Sequence, residues 1–311
     1  MLDKFNNLKN ETGINKNYIY LIEQTESSSG FYLHNEKLLF ISRDFDGNNN
    51  GINNVKTDYL ELIMGVRIKA ISNDPDFEEG NFNILTYNGN YSHEEVDVFI
   101  SICNLYLENK EYITFFEFFQ LIRNLFNKTN KRDKLDVLGL FGELAVIYFA
   151  FNKFNVNLSK YWHINGLFSK YDFVIEDIPL EIKTSTTGHQ EFKIKHDQIF
   201  GTENVYLGTV TLIHDETGIT IKDLVEKIRS IPEFNRNLKF VVNLEKSLLN
   251  IIKTDDDKYL VNDIRFYDTS KLDSIEIIAD GINDISYSYN FSNKRYIDEK
   301  EFYRIVNKSI K

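Results

Sequence analysis

The stretch YDFVIEDIPLEIKTST, residues 171–186, sets Asp172, Glu181 and Lys183 into two short runs otherwise rich in Phe, Val, Ile and Leu. Alternate residues of a strand share a face. Phe173 and Ile175 therefore lie on one face of the first run, and Leu180 and Ile182 on one face of the second. Register follows the hydrophobic pattern, and a core shared by all four pairs residue 175 with 180 and 173 with 182. The reading is a tight antiparallel hairpin with an even-numbered loop, centred on Asp177–Ile178 or on residues 176–179. Asp172 then stands opposite Lys183 and diagonal to Glu181, on the other face.

Directly opposed residues lie roughly 5 Å apart and diagonal ones roughly 7–8 Å apart, so both carboxylates could reach one ion with magnesium–oxygen distances of about 2.1 Å. A solvated hairpin in which Lys183 offsets the carboxylate repulsion is the plainer alternative. The segment KLDVLGLFGELAVIYFAFNKF (134–154) bears on that choice, because it is apolar nearly all round, reads as a deeply buried helix, and yet contains Glu143. A buried carboxylate is costly unless it is paired or binds metal. Gly139 and Gly142 point the same way. Each costs the helix on the order of 1 kcal/mol relative to Ala, which suggests close approach of another backbone near Glu143.

Outward from this centre, residues 17–44 alternate in short runs as an antiparallel meander, followed by the loop DFDGNNNGINN. Asp44, Asp46 and Asn48 mimic the first ligands of a calcium loop, but Asn49 stands at its glycine position and Val55 at its bidentate glutamate, so a Gly/Asn turn is the better reading. YLELIMGVRIKAIS (59–72) fits strand or helix. SHEEVDVFISICNLYLE (92–108) opens with a capping box and runs at helical spacing, and TFFEFFQLIRNLF (114–126) is a second helix. VYLGTVTLIHD (205–215) reads as a strand and TIKDLVEKIRSI (220–231) as an amphipathic helix. NLKFVVNLEKS, KYLVNDIRFYD and SIEIIADGINDISYSYNF read as further strands, and EKEFYRIVN as a last helix.

The 311 residues, 42% hydrophobic and 14% aromatic, supply enough apolar material for one large domain or two modest ones. No stretch reaches the roughly 18 uncharged apolar residues of a membrane helix, and MLDKFNNLKN lacks a signal peptide's apolar run, so the expected location is cytoplasmic. The single cysteine, Cys103, reads as a buried apolar thiol. A net charge of −11 argues against a protein that coats nucleic acid by bulk electrostatics. Residues 128–200, however, hold ten Lys/Arg against nine Asp/Glu, which leaves −12 on the remainder. The middle of the chain is therefore expected to face something anionic, scattered solvated charge being the alternative.

Glu143 on a helix, Asp172 on the first strand of a hairpin and Glu181-Ile182-Lys183 on the next, in that order, resemble the PD-(D/E)xK nuclease superfamily. More narrowly, GLFGELAVI (139–147), EIKTST (181–186), HDQI (196–199) and VYLGTVTLI (205–213) look like bacterial PD-(D/E)xK motif proteins encoded beside methyltransferases and ATPase or helicase subunits in restriction and phage-defence gene sets. The residue before Asp172 is Tyr171 where the family motif has Pro. The resemblance implies an α/β (α+β) fold, a mixed central sheet flanked by helices, with a restriction-endonuclease-like core. Its expected division is 1–110, a strand-rich region with a helix; 111–231, the nuclease core; and 232–311, a β-rich region packed on the core.

The implied activity is Mg²⁺-dependent DNA hydrolysis, with Mn²⁺ as a substitute ion and Glu143, Asp172, Glu181 and Lys183 as the catalytic set. Asp172, Glu181 and the carbonyl of Ile182 would bind the ion, Glu143 would hold it through water or help bind a second, and Lys183 would activate the attacking water. Lys170, Lys193 and Lys195 are candidate phosphate contacts, Gln198 a candidate contact to the site or the DNA, and His196 and His189 candidate phosphate contacts. Expected partners are DNA, proteins of the same defence system such as an ATPase, helicase or methyltransferase, and a second copy of the chain. The alternative is a catalytically silent DNA-docking or scaffold subunit.

Overall fold

The computed structural model describes residues 1–11, 15–26, 29–44, 54–126, 134–162, 170–201, 205–249, 257–275 and 284–308. The calcium-like loop falls, apart from Asp44 and the residues from Asn54, outside that range, as do residues 276–283. The chain divides into two units, the first comprising 1–129 and 241–249, the second 130–240 and 250–311.

In the first unit a helix, α1 (Leu2–Asn10), precedes the strands β1 (Tyr20–Glu26), β2 (Ser29–His34), β3 (Lys37–Arg43), β4 (Asn54–Lys56), β5 (Leu60–Ile68) and β6 (Gly80–Tyr87). They form one antiparallel sheet in the order β1-β2-β3-β6-β5-β4, so the expected meander is present. The ambiguous segment 59–72 is the strand β5, whose ladder breaks between Ile63 and Val66 where Gly65 takes a left-handed φ of 66°. Two helices follow, α2 (His93–Asn109) and α3 (Phe115–Ile122). Thr114 and Glu117 cap α3 reciprocally. At α2 only half of the expected box forms: Ser92 accepts from the Glu95 amide, but the Glu95 carboxylate accepts from the Tyr87 hydroxyl instead. Cys103 is buried, and burial pushes its thiol pKa well up.

The second unit is built on α4 (Lys134–Phe154). Its stretch Val137–Phe154 is long and apolar enough to cross a membrane by length and composition, but it carries Glu143 and Lys153 and packs against the strand Ile178–Ser185 and the helix Ile221–Arg229. Then come β7 (Phe173–Ile175), β8 (Ile178–Ser185), β9 (Glu191–Lys195), the short α5 (His196–Ile199), β10 (Tyr206–Ile219), α6 (Ile221–Arg229) and α7 (Pro232–Asn235). NLKFVVNLEKS, expected as a strand, is the helix α8 (Leu238–Leu249), which runs across the boundary of the two units. Asn237 starts it by accepting a 3.2 Å bond from the Phe240 amide, the side-chain signal that favours a helix over the β-branched Val241-Val242. The last elements are β11 (Tyr259–Asp268), β12 (Ser286–Asn290) and α9 (Glu299–Lys308).

The central sheet, ordered β11-β10-β8-β7, is mixed: β10 runs parallel to β8 and antiparallel to β11, and β7 and β8 form the hairpin. This is the expected α+β arrangement. A parallel pair needs a crossover, and residues 186–205, carrying β9 and α5, supply it. β9 pairs with β12 in a separate two-stranded ribbon. Phe192 and Ile194 from that ribbon meet Ile199, Leu207, Tyr267 and Phe291 in a buried cluster against the sheet.

Candidate active site

The hairpin forms, with its turn at a different position from the one the hydrophobic pattern predicts. Phe173 pairs with Leu180, Val174 with Pro179 and Ile175 with Ile178, leaving Glu176 and Asp177 as a two-residue turn. Glu176 takes a left-handed φ of 57°, the conformation that primed hairpin turns require. The register is thus two residues from the expected one, and its continuation sets Asp172 across from Glu181 rather than Lys183. The two carboxylates are cross-strand neighbours.

Asp172 is fastened to the second strand, its Oδ2 accepting a 2.7 Å hydrogen bond from the Ile182 amide. Glu181 is 3% exposed, and its Oε1 accepts from the Lys183 ammonium. Its other oxygen, Oε2, is buried with no hydrogen-bond partner among the described residues. Such an atom is expensive to bury. Burial, then the negative charges of Glu143 and Glu181, push the Asp172 pKa well above its usual value. Burial also raises that of Glu181, with Lys183 opposing the shift.

Glu143 reaches this cluster from α4. Gly142, beside it, lets the helix sit on β8: a Cβ there would lie 1.8 Å from the Thr184 Oγ1 and 3.0 Å from its Cβ. The expected close approach is therefore real at Gly142, made by a side chain rather than a backbone. A Cβ at Gly139 would meet nothing within 4 Å among the described residues, so no close approach is seen there. Glu143 Oε2 accepts a 2.7 Å bond from the indole N–H of Trp162, which is 2% exposed and packs edge-on against Phe240. The Trp162 backbone also bridges to Phe173. One residue thus ties the strand that follows Asp172 to the helix glutamate.

The other expected contacts divide. Gln198, on α5, joins the cluster: its Oε1 lies 3.4 Å from the Lys183 ammonium and its Nε2 donates at 3.0 Å to the Lys170 carbonyl. Lys170 brings its backbone there, while its exposed ammonium lies 5.3 Å from the centre of the Tyr171 ring. His196 turns to the ribbon, its Nδ1 being 3.1 Å from the Tyr287 hydroxyl. Lys193 and Lys195 are exposed on β9, and His189 lies in the preceding turn region. Among the described residues no three Asp, Glu, His or Cys side chains converge as a ready-made ligand cage. Glu181 is held by Lys183 and Glu143 by Trp162.

A family described as "Putative PD-(D/E)XK family member, (DUF4420)" matches residues 91–292, about two thirds of the chain. The chain belongs to this PD-(D/E)XK family. No curated protein and no solved structure matches it. PD-(D/E)XK nucleases generally use divalent metal ions, and the donor set suits one: two cross-strand carboxylates, one with an unsatisfied buried oxygen, beside a lysine. Asp172 and Glu181-Ile182-Lys183, the residues expected to carry the motif, lie within the matched range. Two neighbours escaped the sequence reading. Trp162 lies outside the motif, and Thr184 was hidden by the β alternation, although Gly142 signalled that something had to fit against it.

Proposed function

We propose that this chain is a Mg²⁺-dependent DNA endonuclease subunit of a bacterial restriction or phage-defence system. The observation that carries the reading is the buried Oε2 of Glu181, without a hydrogen-bond partner among the described residues, beside Asp172, whose pKa is raised by burial and by the charges of Glu143 and Glu181; a cation would neutralise both carboxylates. Asp172, Glu181 and the Ile182 carbonyl would hold Mg²⁺, with Glu143 completing the shell through water. When bound, the ion would supply Lewis-acid polarisation of the phosphate and a more acidic water.

The protein's own part follows from its geometry. Lys183, now paired with Glu181, would turn toward the scissile phosphate as that carboxylate is neutralised, orienting the attacking water and balancing the transition-state charge. Gln198, bound to both Lys183 and the Lys170 carbonyl, sets the direction of the ammonium. The water oxygen bonds to phosphorus, the P–O3′ bond breaks, and the proton lost by the water is balanced by one taken up at the leaving oxygen.

The test is cleavage of supercoiled plasmid with Mg²⁺ or Mn²⁺ by the wild type, Asp172→Ala and Lys183→Ala. Metal-dependent nicking lost in both variants supports the reading. Absence of both cutting and calorimetric metal binding overturns it and favours a docking subunit, with an ATPase, helicase or methyltransferase as partner.

A further inference from the structure

The β9–β12 ribbon has two unlike faces. Inward, Phe192 and Ile194 are buried, and Tyr287 and Tyr289 pack on their cluster. Outward, every side chain is exposed and polar: Glu191 faces Asn290, Lys193 faces Ser288 and Lys195 faces Ser286. Backbone bonds from Phe291 to Gln190 (2.7 Å) and from His196 to Ile285 (2.8 Å) close both ends. The ribbon is anchored, and its polar face is presented outward.

Several lysines elsewhere on the surface are ion-paired. Lys4, Lys16, Lys110, Lys153, Lys271 and Lys294 each meet a carboxylate. Lys193 and Lys195 have no ion-pair partner among the described residues, and their cross-strand neighbours are serines, where an acid would stabilise the pair. The face holds two lysines and one carboxylate, Glu191, and this net charge of +1 on a chain of charge −11 suits an anionic occupant. The ribbon leads straight into α5, whose Gln198 touches Lys183, so what lies on it is delivered toward the carboxylates.

We infer that the outward face of the β9–β12 ribbon is a docking element for B-form duplex DNA, entering the major groove with Lys193 and Lys195 on phosphates and Ser286, Ser288 and Asn290 toward the groove floor. The inference rests on the proposed function for its substrate and extends it to the form of nucleic acid. Five residue pairs at about 3.4 Å each make an element of about 17 Å, and the B-DNA major groove, roughly 12 Å wide, admits a two-stranded ribbon. The deep, narrow groove of A-form RNA does not.

The experiment is fluorescence anisotropy of a labelled DNA duplex with full-length protein carrying Asp172→Asn, which keeps the DNA uncut. Adding K193A and K195A should weaken binding about 10-fold at 100 mM salt and reduce the slope of log K against log salt by about 2. The control pair K4A and K16A, an equal charge change at paired lysines, should leave the slope unchanged. Double-stranded RNA of the same length should fail to compete. An unchanged slope in the ribbon variant, equal competition by RNA, or no duplex binding at all each overturns the inference. Plasmid cutting judges the nuclease reading separately, because it needs no particular docking element.

Discussion

Replacing Asp172 by asparagine should stabilise the protein in the absence of metal. Two carboxylates opposed across the hairpin, about 5 Å apart in a medium of effective dielectric near 20, repel by about 3 kcal/mol. The D172N substitution removes that repulsion and the cost of burying a charge, while the new amide's carbonyl oxygen still accepts from the Ile182 amide, losing about 1 kcal/mol of charge assistance. A net gain of about 1–2 kcal/mol corresponds to a rise in Tm of about 2–6 °C. The sign with pH follows from the raised pKa values. Both carboxyls hold their protons more tightly folded than unfolded. Between the ordinary carboxylate range and the raised folded values the folded state therefore binds more protons, and wild-type stability falls as pH rises through that window. The advantage of D172N should grow as pH rises through that window and shrink as pH is lowered toward the ordinary carboxylate range. The assay is denaturant unfolding in chelator across that range, repeated with Mg²⁺. A cation bound at 100 times its Kd adds about 2.7 kcal/mol to the wild type and should reverse the order. A D172N protein less stable than wild type in chelator at pH 7.5, or an equal gain of both proteins from Mg²⁺, refutes the reasoning.

Trp162→Phe keeps an aromatic ring against Phe240 but deletes the donor to Glu143. It should weaken Mg²⁺ binding about 10-fold by calorimetry, the usual effect of losing a residue that orients a metal-site carboxylate, and unchanged affinity would reduce Trp162 to packing alone. Gly142→Ala should gain about 1 kcal/mol of helix propensity and lose about 1–3 kcal/mol to overlap with Thr184, for a net destabilisation. In a Thr184→Ala background the same change should become stabilising, so a cycle of four unfolding curves reads the contact through its change of sign.

The legible parts of this fold are those where a short-range rule decides. Alternation set out β1 to β3, and the segment 114–126 read as the helix that became α3. NLKFVVNLEKS was misread because Phe240, Val241 and Val242 favour a strand by type, while the deciding signal was a single Asn237 cap in front of them. At α2 the reciprocal half of the capping box was lost to a longer-range competitor, since the Tyr87 hydroxyl claims the Glu95 carboxylate. The first signal is local but outweighed by residue type; the second lies outside the helix's own window.

The hairpin shows why a wrong register can still find the right residues. The expected pairing and the observed one differ by two positions, and side chains alternate with a period of two, so the shift leaves every residue on its face. Asp172, Glu181 and Lys183 stay together away from Phe173, Leu180 and Ile182. What the shift changes is the partner. Asp172 opposite Lys183 would be a satisfied ion pair, a surface feature with no demand for a cation. Asp172 opposite Glu181 is a repulsive pair, with Lys183 drawn onto one oxygen of the glutamate and the other left buried without a partner among the described residues. Composition and alternation could therefore name the residues of the site. The electrostatics of the site depend on the two-residue turn at Glu176 and Asp177, because that turn decides whether the aspartate faces a lysine or a second carboxylate.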